Sequence, residues 1–274
     1  MNRSFSLSFL TIQEASAVEA VNIAAQAGYD FVGLRLLPAA AGEPHYPIYD
    51  DASVLKEVQA ALKDTGIKVS DVEIVRLKDN YADETFKPFL ERAQALGAVH
   101  ILVAGDDTDT GRLKDHYAQF CALAASHQLT ADLEFMPWTA VKNLAQAREI
   151  VEYSQADNAG ILIDALHLAR SNSALVEVTA LPNQYIHYIQ LCDALAQYDA
   201  SDEGLMSVAR TGRLLPSNGQ LDLLGLVQAI DPSKTIGLEI PNAQLLQQYS
   251  ALERAQMAIH QARMLLTEST IGAS

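Results

Sequence analysis

Four hydrophobic runs end in oxygen-bearing side chains, at positions where packing alone would favour carbon: Glu134, Asp164, Gln190 and Glu239. The runs are residues 129–134 (LTADLE), 160–164 (GILID), 185–190 (YIHYIQ) and 235–239 (TIGLE). Each has strand length and a mostly aliphatic or β-branched make-up, and each is followed by polar or turn-forming residues and then a helical pattern. Brought to one place, three carboxylates and one amide oxygen would form a cage of charge about −3 for a hard divalent cation. An oxygen-rich set without thiolates favours Mn²⁺, Mg²⁺ or Co²⁺, with Zn²⁺ a further candidate. The competing reading is that strand-end acids merely cap the helices that follow. That suits any one of them better than all four.

The elements that must position these ends run the length of the chain. Residues 5–10 (FSLSFL) alternate as a strand, and 14–27 form an Ala-rich helix closed by Gly28. Residues 30–36 (DFVGLRL), 67–75 (IKVSDVEIV) and 99–104 (VHILVA) read as strands two to four, with helices predicted near 50–64, 83–96 and 111–127. Alternation places Asp71 and Glu73 on one face and Arg35 near the end of strand two. The four runs above supply strands five to eight. Helices are predicted near 140–153, 166–178 and 223–230, with a long loop over 193–222. A last helix keeps Leu245, Tyr249, Leu252 and Ile259 in phase, and the tail over about 268–274 is expected to fray.

Eight strand–helix alternations with no Pro/Gly/Ser-rich linker predict a single α/β domain over 1–274, a closed (β/α)8 TIM barrel. An open doubly wound sheet is the runner-up, but no G-x-G-x-x-G turn follows the first strand. In a barrel the C-terminal strand ends share one mouth, so the four polar ends would meet there.

A net charge of −15 opposes binding to nucleic acid or to an anionic membrane surface. Cys121 and Cys192 make neither a disulfide framework nor a zinc motif, and no run reaches membrane-spanning length. A cytoplasmic protein acting on a small molecule is expected, and a homo-oligomer is compatible with the sequence.

With these residues in place, the chain resembles the xylose-isomerase-like TIM barrels of the AP endonuclease family 2 superfamily. That group includes sugar-phosphate isomerase/epimerase-like proteins, ketose 3-epimerases, inosose and dehydroshikimate dehydratases, and endonuclease IV. The resemblance spans the whole chain and is carried by LEFMPW around Glu134, ILIDALHLAR with Asp164, His167 and Arg170, YIQLCDA with Gln190 and Asp193, LPSNGQLDL, and GLEIPN around Glu239. It implies that Glu134, Asp164, Gln190 and Glu239 hold one divalent metal and that His167 faces substrate. Departures are informative. Met136 stands where several relatives have histidine, while Gln190 and Ala196 stand where ketose 3-epimerases have a ligand histidine and an arginine. A glutamine at the third position is similar to dehydroshikimate dehydratases, and the three-zinc histidine cluster of endonuclease IV is unmatched.

Isomerisation, epimerisation and β-elimination from a hydroxy-ketone share enolisation next to a carbonyl, in which a metal polarises the C=O and a carboxylate removes the α-proton. Glu134 and Glu239 are the expected catalytic carboxylates on opposite sides of the substrate, with His167 as relay. Arg35, Arg210 and Arg213 are candidates for a substrate carboxylate or phosphate, and Glu73 for orienting Arg35. His45 and Trp138 are further substrate-binding candidates, and Met136 joins Trp138 as an apolar wall. His187 is read as outward-facing from its phase against Gln190. The leading expectation is a metal-dependent isomerase or epimerase of a sugar, sugar phosphate or sugar acid. The alternatives are a metal-dependent dehydratase of the inosose or dehydroshikimate type and a metal-free sugar-binding barrel.

Overall fold

The computed structural model describes residues 3–271. Eight parallel strands close on themselves in sequence order. They are β1 (Phe5–Leu7), β2 (Phe31–Arg35), β3 (Lys68–Leu77), β4 (His100–Gly105), β5 (Thr130–Glu134), β6 (Ala159–Asp164), β7 (Tyr188–Leu191) and β8 (Thr235–Leu238). Closure is made by β1 against β8, with Ser6 opposite Gly237. The helices are α1 (Ala17–Ala27), α2 (Ala52–Thr65), α3 (Asp83–Ala95), α4 (Thr110–Ala125), α5 (Leu144–Ser154), α6 (Ala165–Arg170), α7 (Leu175–Thr179), α8 (Asp202–Thr211), α9 (Leu223–Ala229), α10 (Ala243–Gln248) and α11 (Ala251–Ile271).

The expected α/β barrel is therefore present, with local differences that have local causes. The helix predicted over 166–178 is broken at Asn172, whose φ of 55° is left-handed. The predicted last helix divides at Ser250, which starts α11 with its own capping box: Ser250 N donates to Glu253 Oε2 and Glu253 N to Ser250 Oγ. The loop predicted over 193–222 contains α8, capped by Ser201 Oγ accepting from Gly204 N. Helix α11 continues to Ile271, past the start of the tail expected to fray, and residues 272–274 lie outside the described residues.

Residues facing away from the barrel axis, such as Leu7, Val32, Leu133, Ile161 and Leu238, pack with the helices in the main core. Inside the barrel a smaller apolar layer of Leu102, Ala104, Leu162 and Tyr188 separates two polar ends. On the floor, Asp132 accepts from Thr130 Oγ1 at 2.5 Å and from His187 Nδ1 at 2.7 Å. The His187 ring stacks on His100 at 5.8 Å. His187 thus turns inward, contrary to the sequence expectation, because β7 begins at Tyr188 and the strand's alternation does not extend to the residue before it. Gly160 makes this meeting possible: a Cβ there would lie 2.4 Å from Asp132 Oδ1 and 2.5 Å from His187 Nδ1.

Candidate active site

At the opposite end, Glu134, Asp164 and Gln190 come from the last turns of β5, β6 and β7, and Glu239 directly follows β8. Asp164 stands opposite Gln190 and Gln190 opposite Gly237, so the barrel register carries these ends to one level. All four are buried. The structure brings the four ends together; the oxygens of Asp164 and Glu239 are already engaged, whereas Gln190 Oε1 is buried without a hydrogen-bond partner among the described residues.

Asp164 Oδ1 caps α6 by accepting from His167 N at 3.0 Å, and Oδ2 accepts from Arg213 Nη1 at 2.5 Å. Glu239 Oε2 lies 2.9 Å from Arg213 Nη2, and its Oε1 accepts from Gln190 Nε2 at 3.2 Å. Capping and ligation were competing readings of these strand-end acids, and for Asp164 capping is realised together with an ion pair. Ligand atoms of Glu134, Asp164 and His167 lie within 4.8 Å of one another, a group that does not include Glu239.

Arg213 is held there by its backbone. The segment after α8 is bonded to the end of β7 through Leu214 N to Asp193 O (2.7 Å) and to the end of β8 through Arg213 N to Pro241 O (3.1 Å). Asn242 Nδ2 donates to Arg213 O, and Arg213 Nε donates to Ala209 O. Asp193 accepts from the backbone N–H of Ala194, Gly219 and Leu221, which fixes the rest of the same loop.

The electrostatics follow from burial and this arginine. Burial alone would pull Arg213 down, but Asp164 and Glu239 hold it firmly charged. Burial alone would push Asp164 up, but the Arg213 charge, followed by His167, holds it below the usual carboxylate range. Burial and then the charges of Glu239 and Asp164 push Glu134 well above that range. Glu239 is pushed up to about 7 by burial, with Arg213 opposing. His167 is pulled down to about 4 by burial and is neutral; its Nε2 stands 3.7 Å from Glu134 Oε1, and Trp138 meets its ring edge-to-face at 5.1 Å.

These groups border a cavity of about 270 Å³ lined by Glu134, Glu239, His167, Arg213 and Arg35, with Met136 and Trp138 as its apolar wall. Asp164 and Gln190 are fully buried and do not line it. Arg35 stacks over Phe9 and donates from Nε and Nη2 to Glu73 Oε2 at 2.9 and 2.6 Å, as the sequence suggested. Arg210 reaches the rim, where it pairs with Glu43 at 2.9 Å. His45 is exposed and borders a separate surface groove with Glu14 and Glu57, so it does not join the site.

Sequence reasoning missed Arg76, which lines the cavity and pairs with Asp106 at 2.7 Å. The β3–β4 register shifts between Val72 and Val75, so Ile74 and Arg76 line the cavity where strict alternation from Glu73 would choose Val75 and Leu77.

Residues 21–267 match the family model described as xylose isomerase-like TIM barrel. The chain belongs to the xylose isomerase-like TIM barrel family. No curated protein matches it in sequence. Among solved structures, this family member is similar to the IOLI protein with a binding zinc atom, with TM-score 0.78 and 19% identity over 97% of this chain and 99% of that one. It is also similar to a xylose isomerase-like TIM barrel/4-hydroxyphenylpyruvate dioxygenase fusion protein, with TM-score 0.80 and 18% identity over 98% of this chain but only 44% of that one. A D-allulose 3-epimerase from Methylomonas sp. matches with TM-score 0.70 and 14% identity over 97% and 99% of the two chains. At these identities the likeness is one of fold.

A relative's zinc raises the question of whether this xylose isomerase-like barrel fits a metal at its own mouth. The donor types suit a divalent ion, and Glu134, Asp164 and His167 have ligand atoms close together. The arrangement does not suit one ion held by all four strand-end residues, because the guanidinium of Arg213 lies between Asp164 and Glu239 and pairs with an oxygen of each.

Proposed function

We propose that this family member is an isomerase or epimerase of a small neutral sugar, acting through an enediolate formed by proton transfer beside a carbonyl. The observation that carries the reading is the pair of buried carboxyl groups, Glu134 and Glu239, bordering one sugar-sized cavity, both with their proton affinities raised by burial. Carboxyls whose proton affinity is raised by burial are suited to acid–base work near neutral pH. Glu239, pushed up to about 7, is suited to remove the α-proton, and Glu134 to return one. Neutral His167, close to Glu134 Oε1, can relay that proton. The charges of Arg213 and Arg35 face the cavity in which an enediolate would develop.

A neutral substrate is favoured over a sugar phosphate or sugar acid because the four arginines of the cavity are already paired: Arg35 with Glu73, Arg76 with Asp106, Arg210 with Glu43, and Arg213 with Asp164 and Glu239. The metal-dependent form of the chemistry would require Asp164 and Glu239 to be free for ligation, so the steps above use only side chains of the chain. Free, buried Cys121 and Cys192 suit a reducing compartment, which we propose is the cytoplasm.

One observation favours a second reading, loss of water from a cyclic hydroxy-ketone: burial raises the proton affinity of Glu134 beside the cavity, which suits it to protonate a departing hydroxyl. The test is incubation in deuterated water with ketohexoses, ketopentoses and inososes, followed by NMR and near-ultraviolet absorbance. Exchange of one C–H beside a carbonyl is expected, and it should be lost in E134Q. A conjugated, absorbing product would identify the dehydratase. Binding of a panel sugar with neither exchange nor elimination would make the chain a sugar-binding barrel.

A further inference from the structure

We infer that this barrel carries its active-site cation in the polypeptide, with the Arg213 guanidinium standing where a divalent ion held by all four strand-end residues would have to sit, and that the native protein works without a bound metal. Three independent observations support this. First, a metal held by all four strand-end residues would need Asp164 Oδ2 and Glu239 Oε2 in one coordination shell, yet both oxygens are bonded to separate nitrogens of one guanidinium. The other Asp164 oxygen caps α6, and the other Glu239 oxygen accepts from Gln190. Second, Asp164 and Gln190 do not reach the cavity, whereas Arg213 does. An ion entering from the mouth meets the arginine before it meets those two donors.

Third, the arginine is not an arm that happened to fold inward. Its backbone is bonded to the ends of both β7 and β8, its Nε is used by Ala209 O, and its Nη1 also approaches Cys192 Sγ at 3.6 Å and Glu239 O at 3.5 Å. A guanidinium stays charged at any ordinary pH and presents its donors in a rigid fork, which suits it to a permanent position between two carboxylates.

This concerns the cation alone and stands whichever small molecule the cavity accepts. The experiment is metal titration of chelator-treated protein with Mn²⁺, Co²⁺ and Zn²⁺, read by calorimetry and by thermal melting. The wild-type chain is expected to show no saturable one-to-one binding and no shift in melting temperature. R213M, which removes the charge at similar bulk, is expected to gain one site and to be stabilised by the ion. R213K keeps the charge and should still refuse it. One tightly bound equivalent in the wild-type protein would overturn the inference, and that result does not depend on any variant folding. A folded R213M that takes up no ion would equally overturn it. Neither readout uses turnover, so inactivity toward every sugar tested would count against the proposed reaction and leave this result intact.

Discussion

Arg213 and Asp164 form an ion pair of 2.5 Å at the barrel mouth with side chains only 2% and 0% exposed. A charge buried this deeply is tolerated because its partners are fixed before it arrives: Asp164 by its cap on α6, Glu239 by Gln190, and Arg213 by the backbone ties on either side of it. Such an arrangement is weak evidence for stability but strong evidence for a preferred position, since breaking one partner leaves an uncompensated buried charge.

In chelator-treated buffer R213M should therefore lose about 3–5 kcal/mol of unfolding free energy. D164N should lose comparably through its cap and its pair, and the double variant should lose much less than the sum. Denaturant unfolding of the four proteins checks this. Additive losses would mean that the two side chains do not interact.

Glu134 and Glu239 lie on opposite sides of the proposed proton transfer, so their amide variants should fail differently. E239Q removes the proposed base and should lower kcat by about 10²–10⁴-fold, with substrate exchange lost in both directions. E134Q keeps the size and hydrogen-bonding capacity of the side chain, so it should bind substrate with nearly unchanged KM while turnover falls. Equal, small effects in both would remove them from the chemistry.

Much of this was readable in the sequence, and the unreadable part has a definite physical origin. The strand-end residues Glu134, Asp164, Gln190 and Glu239 were legible because period-two burial forces a polar group at a strand end either to the mouth or into a penalty. The Arg35–Glu73 pair was legible for the same reason. Arg213 was named only as one arginine of a long loop. Its position depends on pairings with Asp193, Pro241 and Asn242, contacts between distant stretches that no local pattern encodes. His187 and Arg76 were lost to strand boundaries and to a register shift, where alternation ceases to hold.

The Arg210–Glu43 pair joins α8 to the segment between β2 and α2 across the rim, with side chains 53% and 26% exposed. Exposed pairs contribute little to stability. R210A should leave the unfolding free energy within about 1 kcal/mol of wild type. Because both partners line the cavity, its effect should fall on KM through substrate entry and retention. A large change in kcat with KM unmoved would instead place Arg210 in the reacting machinery.

The floor of the barrel predicts a stability profile that is independent of the mouth. His100 stacks on Tyr188 at 4.9 Å, and burial pulls it down to about 4 from 6.5, with Asp132 opposing. The unfolded chain then binds a proton that the folded chain refuses. The His100 contribution is therefore intact above pH 6.5 and is lost as pH falls toward about 4, amounting to about 3 kcal/mol at most. Asp71 lies opposite His100 in the β3–β4 ladder and behaves with the opposite sign. Burial and then Glu73 push it well above 3.8, with Ser70 opposing. Its folded form holds the proton, so stability is greatest below 3.8 and declines as pH rises through the folded value. D71N should therefore gain on wild type as pH rises, while H100N should gain on wild type as pH falls from 6.5 to 4. Melting temperatures across pH 4–9 for the three proteins decide the matter. Parallel profiles would show that neither group is displaced from its ordinary titration.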